Sequence, residues 1–370
     1  MLTGCTTGDD YPTGSSDLAA VPAAGDLLRS EPIDDAPAGT KAWRVLYRST
    51  DVDGADIEVS GFVVAPDTAA PAEGRAIVAW AHPTTGAGRD CAPSETSDPF
   101  GSIPGLRAFV AAGYVVAATD YPGMGAAGPD SYLVGTSEGN SVLDAARAAR
   151  QLPGAGANTD LLLWGHSQGG HAALFAAQDA AAYAPELHLA GVAVAAPATD
   201  LAALLGAGLG DASGVTLAAY ALDAYSSVYA DRDADLAAVL TPAGVEATPE
   251  LAALCLTGQE SEVARIVAPL AGRYLAADPR TVAPWADLLA ENSPGAKPFG
   301  APVLIVQGDS DALIDPAITR GFADRACAAG EEIGYAALPG VGHGEVAFVA
   351  AERVAEWFGR VIRGPVPSGC

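Results

Sequence analysis

Leu161-Leu162-Leu163-Trp164-Gly165-His166-Ser167-Gln168-Gly169-Gly170 carries an apolar run straight into a glycine-flanked serine, and His171-Ala172-Ala173 follows. A short apolar run of this kind reads as a strand buried on both faces, and the residues from Gly170 onward read as a helix. A serine held between glycines at a strand-to-helix turn presents its hydroxyl outward. The small neighbours are needed because the two backbones pass close to each other around a strained residue. A serine hydroxyl alone is a poor nucleophile. It needs an imidazole to take its proton and a carboxylate to orient that imidazole.

The five-residue pattern alone is weak evidence, because the chain holds a second copy, Gly135-Thr136-Ser137-Glu138-Gly139. Context separates the two. Ser137 follows a Gly/Pro-rich stretch from Pro122 to Pro129 and reads as a loop residue ahead of a helix from about Ser141. Ser167 is the expected nucleophile. The expected acid lies in Gly308-Asp309-Ser310-Asp311, just past the apolar run Val303–Gln307. A carboxylate at the carboxyl end of a strand can reach a neighbouring loop. Asp311 is preferred for its spacing from Gly308, with Asp309 and Asp315 as alternatives whose plainer roles are turn formation and helix capping. The three acids lack the Gly and Glu positions of an EF-hand, so no calcium loop is read here. The expected base is His343, in Pro339-Gly340-Val341-Gly342-His343-Gly344-Glu345. Of the other four histidines, His166 and His171 flank the serine itself, His188 reads as structural, and His82 follows a strand.

An acyl-transfer intermediate needs two preorganised N–H donors. One expected donor is the backbone of Gln168. The other belongs to His82-Pro83-Thr84-Thr85-Gly86, after the apolar run Ala76–Ala81. Pro83 has no N–H, which leaves Thr84 or Thr85, with Thr85 favoured.

Outward from these motifs, strands and helices alternate. Strands are expected at Trp43–Ser49, Ile57–Val64, Ala76–Ala81, Tyr114–Ala118, Leu161–Trp164, Leu189–Ala195, Val303–Gln307 and Gly334–Leu338. Helices are expected at Leu106–Ala112, Ser141–Leu152, Gly170–Ala181, Ala317–Ala328 and Glu345–Ile362. Such alternation implies a mostly parallel central sheet flanked by helices. With a serine, an acid and a base in that chain order, the expected fold is the α/β-hydrolase fold. The rhythm breaks between about 200 and 298, where Ala/Leu-rich helical patterns read as an inserted cap. The expected organisation is 1–40 as a signal remnant, tether and N-terminal extension without regular structure, 41–199 as the first part of the core, 200–298 as the cap and 299–370 as the second part of the core.

The 370 residues carry a formal net charge of −26, and charged residues make up only 17% of the chain. So acidic a surface repels phosphate backbones, which argues against a nucleic-acid partner. No run of 18 apolar residues reads as a membrane span. Leu2-Thr3-Gly4-Cys5 looks like the lipobox of a bacterial lipoprotein, and the polar stretch from Thr6 to Asp17 looks like its tether, so Cys5 is a candidate for lipidation. The remaining cysteines, Cys91, Cys255, Cys327 and Cys370, suit two disulfides in an exported chain, with three pairings open. No metal-ligand spacing is present, and neither a metal nor a cofactor is expected.

Together, Asp90-Cys91-Ala92-Pro93-Ser94, Asp120-Tyr121-Pro122-Gly123, Val142-Leu143-Asp144-Ala145-Ala146-Arg147-Ala148, Gly165–Gly170, Ala184-Pro185-Glu186-Leu187 and the Asp311 and His343 loops resemble the secretory lipases, in the actinobacterial branch of the yeast lipase A type. The resemblance runs from about residue 75 to 370. It implies a triad of Ser167, Asp311 and His343, with Thr85 at the first oxyanion position. The family often has an acid there, so Thr85 is a departure. It also implies pairing of Cys91 with Cys255 and of Cys327 with Cys370. Members of the family hydrolyse esters of fatty acids under a helical insertion that covers an apolar acyl pocket. The expected function is therefore that of a secreted or surface-anchored serine carboxylic-ester hydrolase acting on small-molecule or polymeric esters. Acyl transfer or peptide hydrolysis by the same triad, and a non-catalytic binding role, are the alternatives.

Overall fold

The structure is a computed structural model that describes residues 23–208, 210, 212–366 and 369–370; Cys5 and its surroundings lie outside the described residues. Nine strands build one sheet: β1 (Leu27–Pro32), β2 (Thr40–Thr50), β3 (Asp56–Pro66), β4 (Arg75–Ala81), β5 (Val115–Thr119), β6 (Ala157–His166), β7 (His188–Ala195), β8 (Val303–Gly308) and β9 (Ile333–Leu338). Their order is β1-β2-β3-β5-β4-β6-β7-β8-β9. The pairs β1–β2, β2–β3 and β3–β5 are antiparallel, and every pair from β5 to β9 is parallel. This is the α/β-hydrolase fold. The parallel strands are largely apolar because helices cover both faces; every residue of β5 and of β8 is buried.

The helices α1 (Leu106–Ala111), α2 (Gly135–Arg150), α3 (Gln168–Tyr183), α4 (Leu201–Gly208), α5 (Ala212–Val228), α6 (Pro242–Ala252), α7 (Glu260–Val267), α8 (Trp285–Glu291), α9 (Pro316–Ala328) and α10 (Val346–Val361) follow in chain order. One face of the sheet packs on α2, α3 and α9 through residues such as Val142, Leu174 and Phe322. The opposite face packs on α1 and α10 through Phe109, Val354 and Phe358. Between β7 and β8, α4 to α8 gather around a core of their own, with Tyr220, Tyr225, Leu251 and Trp285 buried. That core also takes in Leu133, Val134 and Ala198 from the sheet side, so the helical segment is seated on the carboxyl ends of the strands.

Two elements differ from the sequence reading. Residues 1–40 are expected to lack regular structure, yet Leu27–Pro32 pairs antiparallel with β2. Most of β1 is exposed, so the strand shows no hydrophobic alternation. It is held by backbone bonds, which leave no mark on side-chain pattern. The second difference concerns Ser137, which is not in a loop. It is buried inside α2, which starts at Gly135. A Cβ at Gly139 would fall 2.8 Å from the backbone nitrogen of Ala176, and one at Gly135 would collide with Cε2 and Cζ of the Phe175 ring. The two glycines therefore let α2 lie against α3, and tertiary packing overrides their poor helix propensity.

Disulfides join Cys91 to Cys255 and Cys327 to Cys370. The first ties the loop after β4 to the segment after α6, and the second holds the C-terminus to α9. By the chain-entropy argument the first, which closes 164 residues, contributes at most about 5 kcal/mol, and the second, which closes 43, at most about 4 kcal/mol. Among the described residues no helix is long and apolar enough to cross a membrane.

Candidate active site

Strand β6 delivers Ser167, and α3 begins at the next residue. Ser167 adopts φ 57° and ψ −117°, a conformation that L residues avoid and that costs about 1–3 kcal/mol. The surroundings enforce it. The Ser167 N–H donates to the Ala195 carbonyl at 2.9 Å, and its own carbonyl accepts from His171 N–H at 3.1 Å. A Cβ at Gly170 would fall 2.7 Å from Cβ of Pro197, and one at Gly165 would fall 2.9 Å from the Gly170 nitrogen. The glycines read from the sequence are thus the contacts that permit the turn.

Around this serine the structure brings together residues more than 140 positions away. His343 Nε2 lies 2.9 Å from Ser167 Oγ. His343 Nδ1 lies 2.8 Å from Asp311 Oδ2. An ionised carboxylate only accepts, so Nδ1 carries the ring proton and Nε2 is left free to accept from the serine hydroxyl. Burial alone would raise the Asp311 carboxyl. The hydrogen bond and charge of His343, with the N–H groups of Ile314 and Leu313, outweigh it and hold the carboxyl below its usual range. Asp309 instead accepts from Gly340 N–H at 2.6 Å, and Asp315 caps α9 by accepting from Ala317 N–H at 2.8 Å, as turn and cap residues do.

Some neighbours carry no signal in the sequence. Gln307 donates through Nε2 to Asp311 Oδ2 at 3.0 Å. The His166 ring stacks at 4.9 Å from that of His343, and its Nε2 donates to the His343 carbonyl at 3.0 Å. Burial first, then the nearby His343, pushes the His166 imidazole down to about 3, so it stays neutral and holds the histidine loop without competing for its proton. His82 is also driven down by burial, and sits between the carbonyls of Pro83 and Asp120. His188 is exposed, 3.1 Å from Asp160.

Gln168 opens α3, so its N–H is one of the helix-start donors without an intrahelical partner. In the loop after β4, Thr85 Oγ1 donates to the Cys91 carbonyl at 2.8 Å. Thr84 Oγ1 instead lies 2.8 Å from the hydroxyl of Tyr132, a wall residue of the cavity described next. The loop is held from behind by Asp120, which accepts from Ser60 and from the N–H and hydroxyl of Ser94.

Ser167 opens onto a cavity with about 680 Å³ of empty space, part of it open to solvent. Its walls are almost wholly apolar; Leu133, Leu201, Leu217, Ala221 and Ile314 are among them. A hydroxyl with an imidazole acceptor at hydrogen-bond distance, at the edge of an apolar cavity, can attack a carbonyl carbon whose acyl chain lies in that cavity.

Comparison with known proteins bears on the same assembly. A family model described as secretory lipase matches residues 105–365. The chain is 29% identical over 198 residues to a Mycobacterium tuberculosis protein named probable inactive lipase, covering 49% of this chain and 43% of that protein. It is 34% identical over 184 residues to lipase A of Arthroderma benhamiae, covering 45% of this chain and 37% of that protein. The matched stretches therefore span less than half the length of these curated relatives. Among solved structures, Candida antarctica lipase A in its closed state superimposes with a TM-score of 0.77 at 18% identity, covering 94% of this chain and 85% of that one. The rice cell wall degrading esterase LipA from Xanthomonas oryzae superimposes with a TM-score of 0.73 at 21% identity, covering 92% and 98%. At these identities the structural matches establish the shared fold.

Proposed function

This chain belongs to the secretory lipase family, and from that premise we propose that it is an extracellular serine carboxylic-ester hydrolase acting on esters with apolar acyl groups. The observation that carries the reading is the pair of contacts on one imidazole, 2.9 Å to Ser167 Oγ and 2.8 Å to Asp311 Oδ2, at the wall of an apolar cavity.

In this mechanism Ser167 Oγ attacks the ester carbonyl carbon while His343 Nε2 takes the hydroxyl proton. Asp311 keeps the ring oriented and stabilises the imidazolium. The carbonyl oxygen becomes an oxyanion, stabilised by the Gln168 N–H and by an N–H of Thr85 or Thr84. The tetrahedral adduct collapses, the alkoxide leaves with the proton from Nε2, and the acyl group stays on Ser167. Water then gives a proton to His343 Nε2 and attacks the acyl carbon; the second adduct collapses, the acid leaves, and Nε2 returns its proton to Ser167 Oγ. The net charge of −26 disfavours anionic interfaces, so a soluble short- to medium-chain ester or a neutral polyester surface fits at least as well as a long triglyceride. Surface anchoring through a lipidated Cys5 is part of the same proposal.

The test compares two serines. Ser167→Ala is expected to abolish p-nitrophenyl ester hydrolysis and fluorophosphonate labelling while the protein remains folded. Ser137→Ala is expected to leave both nearly intact, because the Ser137 hydroxyl is buried without a partner and deleting it removes an unsatisfied group. The reverse pattern would overturn the site. Absence of labelling in the folded wild type would favour a binding role instead.

A further inference from the structure

The second glycine-serine-glycine stretch has a chemistry of its own. Its acid, Glu138, lies in the first turn of α2 and is fully buried. One oxygen, Oε1, accepts from the side-chain Nε2 of Gln168 at 2.6 Å and from the N–H of Leu133 at 2.9 Å. The other, Oε2, lies 3.1 Å from Nδ1 of His171, which is also fully buried. Nε2 of the same ring lies 2.7 Å from the backbone carbonyl of Asn292.

Hydrogen-bond arithmetic then fixes a proton. A carbonyl only accepts, so His171 Nε2 carries a hydrogen. The contact between Nδ1 and Oε2 needs a second one, either on the ring or on the carboxyl. Both arrangements hold the same total number of protons. Losing that proton would leave two lone pairs facing each other in a buried site.

The network also has a position that matters. Gln168 supplies the proposed oxyanion donor, and Leu133 is a wall of the cavity. Asn292 terminates α8, where the helical segment returns toward the sheet, and its side chain accepts from Gly135 N–H at 2.9 Å and donates to the Tyr229 hydroxyl at 2.9 Å. We propose that Glu138 and His171 hold one proton in common and act as a positioning pair, fixing the start of α3 and the Leu133 wall against the root of the cap. The inference rests on the ester-hydrolase reading of the same site.

Besides His171, the titratable groups facing Glu138 are His82 after β4, Tyr121, Asp130 and Tyr132 in the loop after β5, and Tyr225 on α5. Burial holds His82 neutral and keeps the three tyrosines protonated, so Asp130 is the one that titrates near neutrality.

Glutamine at 138 offers a clean test. Its carbonyl can accept from Gln168 and Leu133, and its amide can donate to a neutral His171 without the shared proton. The experiment measures kcat and KM on p-nitrophenyl butyrate at pH 7, with Asp130→Asn in every background to remove that titration. Glu138→Gln is expected to cost no more than about threefold in kcat, whereas Glu138→Leu costs about 30-fold or more with KM within about threefold. A Gln variant as impaired as the Leu variant overturns the proposal. Should the Leu variant not fold, the Gln variant decides alone, and a loss of more than about tenfold in its kcat overturns the proposal. Fluorophosphonate labelling of the parent separates the failures. An unlabelled parent refutes the ester-hydrolase reading, and a labelled parent with an impaired Gln variant refutes only the shared proton.

Discussion

Gly169→Ala is the smallest substitution that should dismantle the site. A Cβ at Gly169 would sit well inside the van der Waals surface of the Ala81 carbonyl oxygen and 2.7 Å from the His82 carbonyl oxygen. Carbon and oxygen need about 3.2 Å, so the Ala81–His82 backbone, or the first turn of α3, must retreat by about 1 Å. Neither is free to do so cheaply. Ala81 is fully buried and paired in register with Gly165, and Gly169 is in the helix that carries Gln168. The overpacking is expected to cost about 1–3 kcal/mol in stability. The same shift parts the two proposed oxyanion donors, one on each side of the overlap, and losing one donor costs on the order of 10²–10³ in kcat. The assay is kcat on p-nitrophenyl butyrate alongside a urea midpoint. Gly128→Ala serves as the control, because a Cβ there meets only the Gly123 nitrogen at 3.7 Å. A Gly169→Ala variant that keeps more than about a tenth of kcat would refute the argument that close backbone approach builds the oxyanion site.

Two further outcomes follow from other parts of the molecule. Burial pushes the Asp130 carboxyl up to about 8, with Asp223 and Glu138 adding to the rise and the Tyr132 N–H opposing it. An unfolded aspartate releases its proton near pH 4, so between about pH 4 and 8 the native state holds a proton that the unfolded chain has lost, and stability falls as pH rises through that window. Asparagine cannot titrate, so the gain in Tm of Asp130→Asn over the wild type should grow from pH 4 to pH 8; a gain that does not depend on pH contradicts this. Ala221, on α5, lines the cavity beside Ser167. Ala221→Phe should lower kcat/KM for octanoate or longer esters by about tenfold relative to butyrate, since several methylenes lose their pocket, and an unchanged chain-length profile would place the acyl group elsewhere.

The parallel part of the sheet was legible because its strands are buried on both faces and interrupted by glycine turns, which leaves a pattern at short range. The loops that carry Asp311 and His343 were legible for a related reason: each directly follows an apolar strand. Strand β1 was not legible, since an exposed edge needs only backbone partners. Ser137 was misread because a Gly-Thr-Ser-Glu-Gly run resembles a loop until α3 is seen lying against its glycines. Cys91 and Cys255, 164 residues apart, could be paired only through the family resemblance, because no local spacing links them.

By itself the amino-acid order determined the strand-turn-helix around Ser167, the chemical types present at residues 311 and 343, and the helical character of the inserted segment, all of which depend on neighbours a few positions away. Folding alone decided which acid faces the imidazole, which threonine hydroxyl meets Tyr132, and that Glu138, His171 and Asn292 share one buried network. Those outcomes depend on distances between groups brought together from opposite ends of the chain, and on the exclusion of water where they meet.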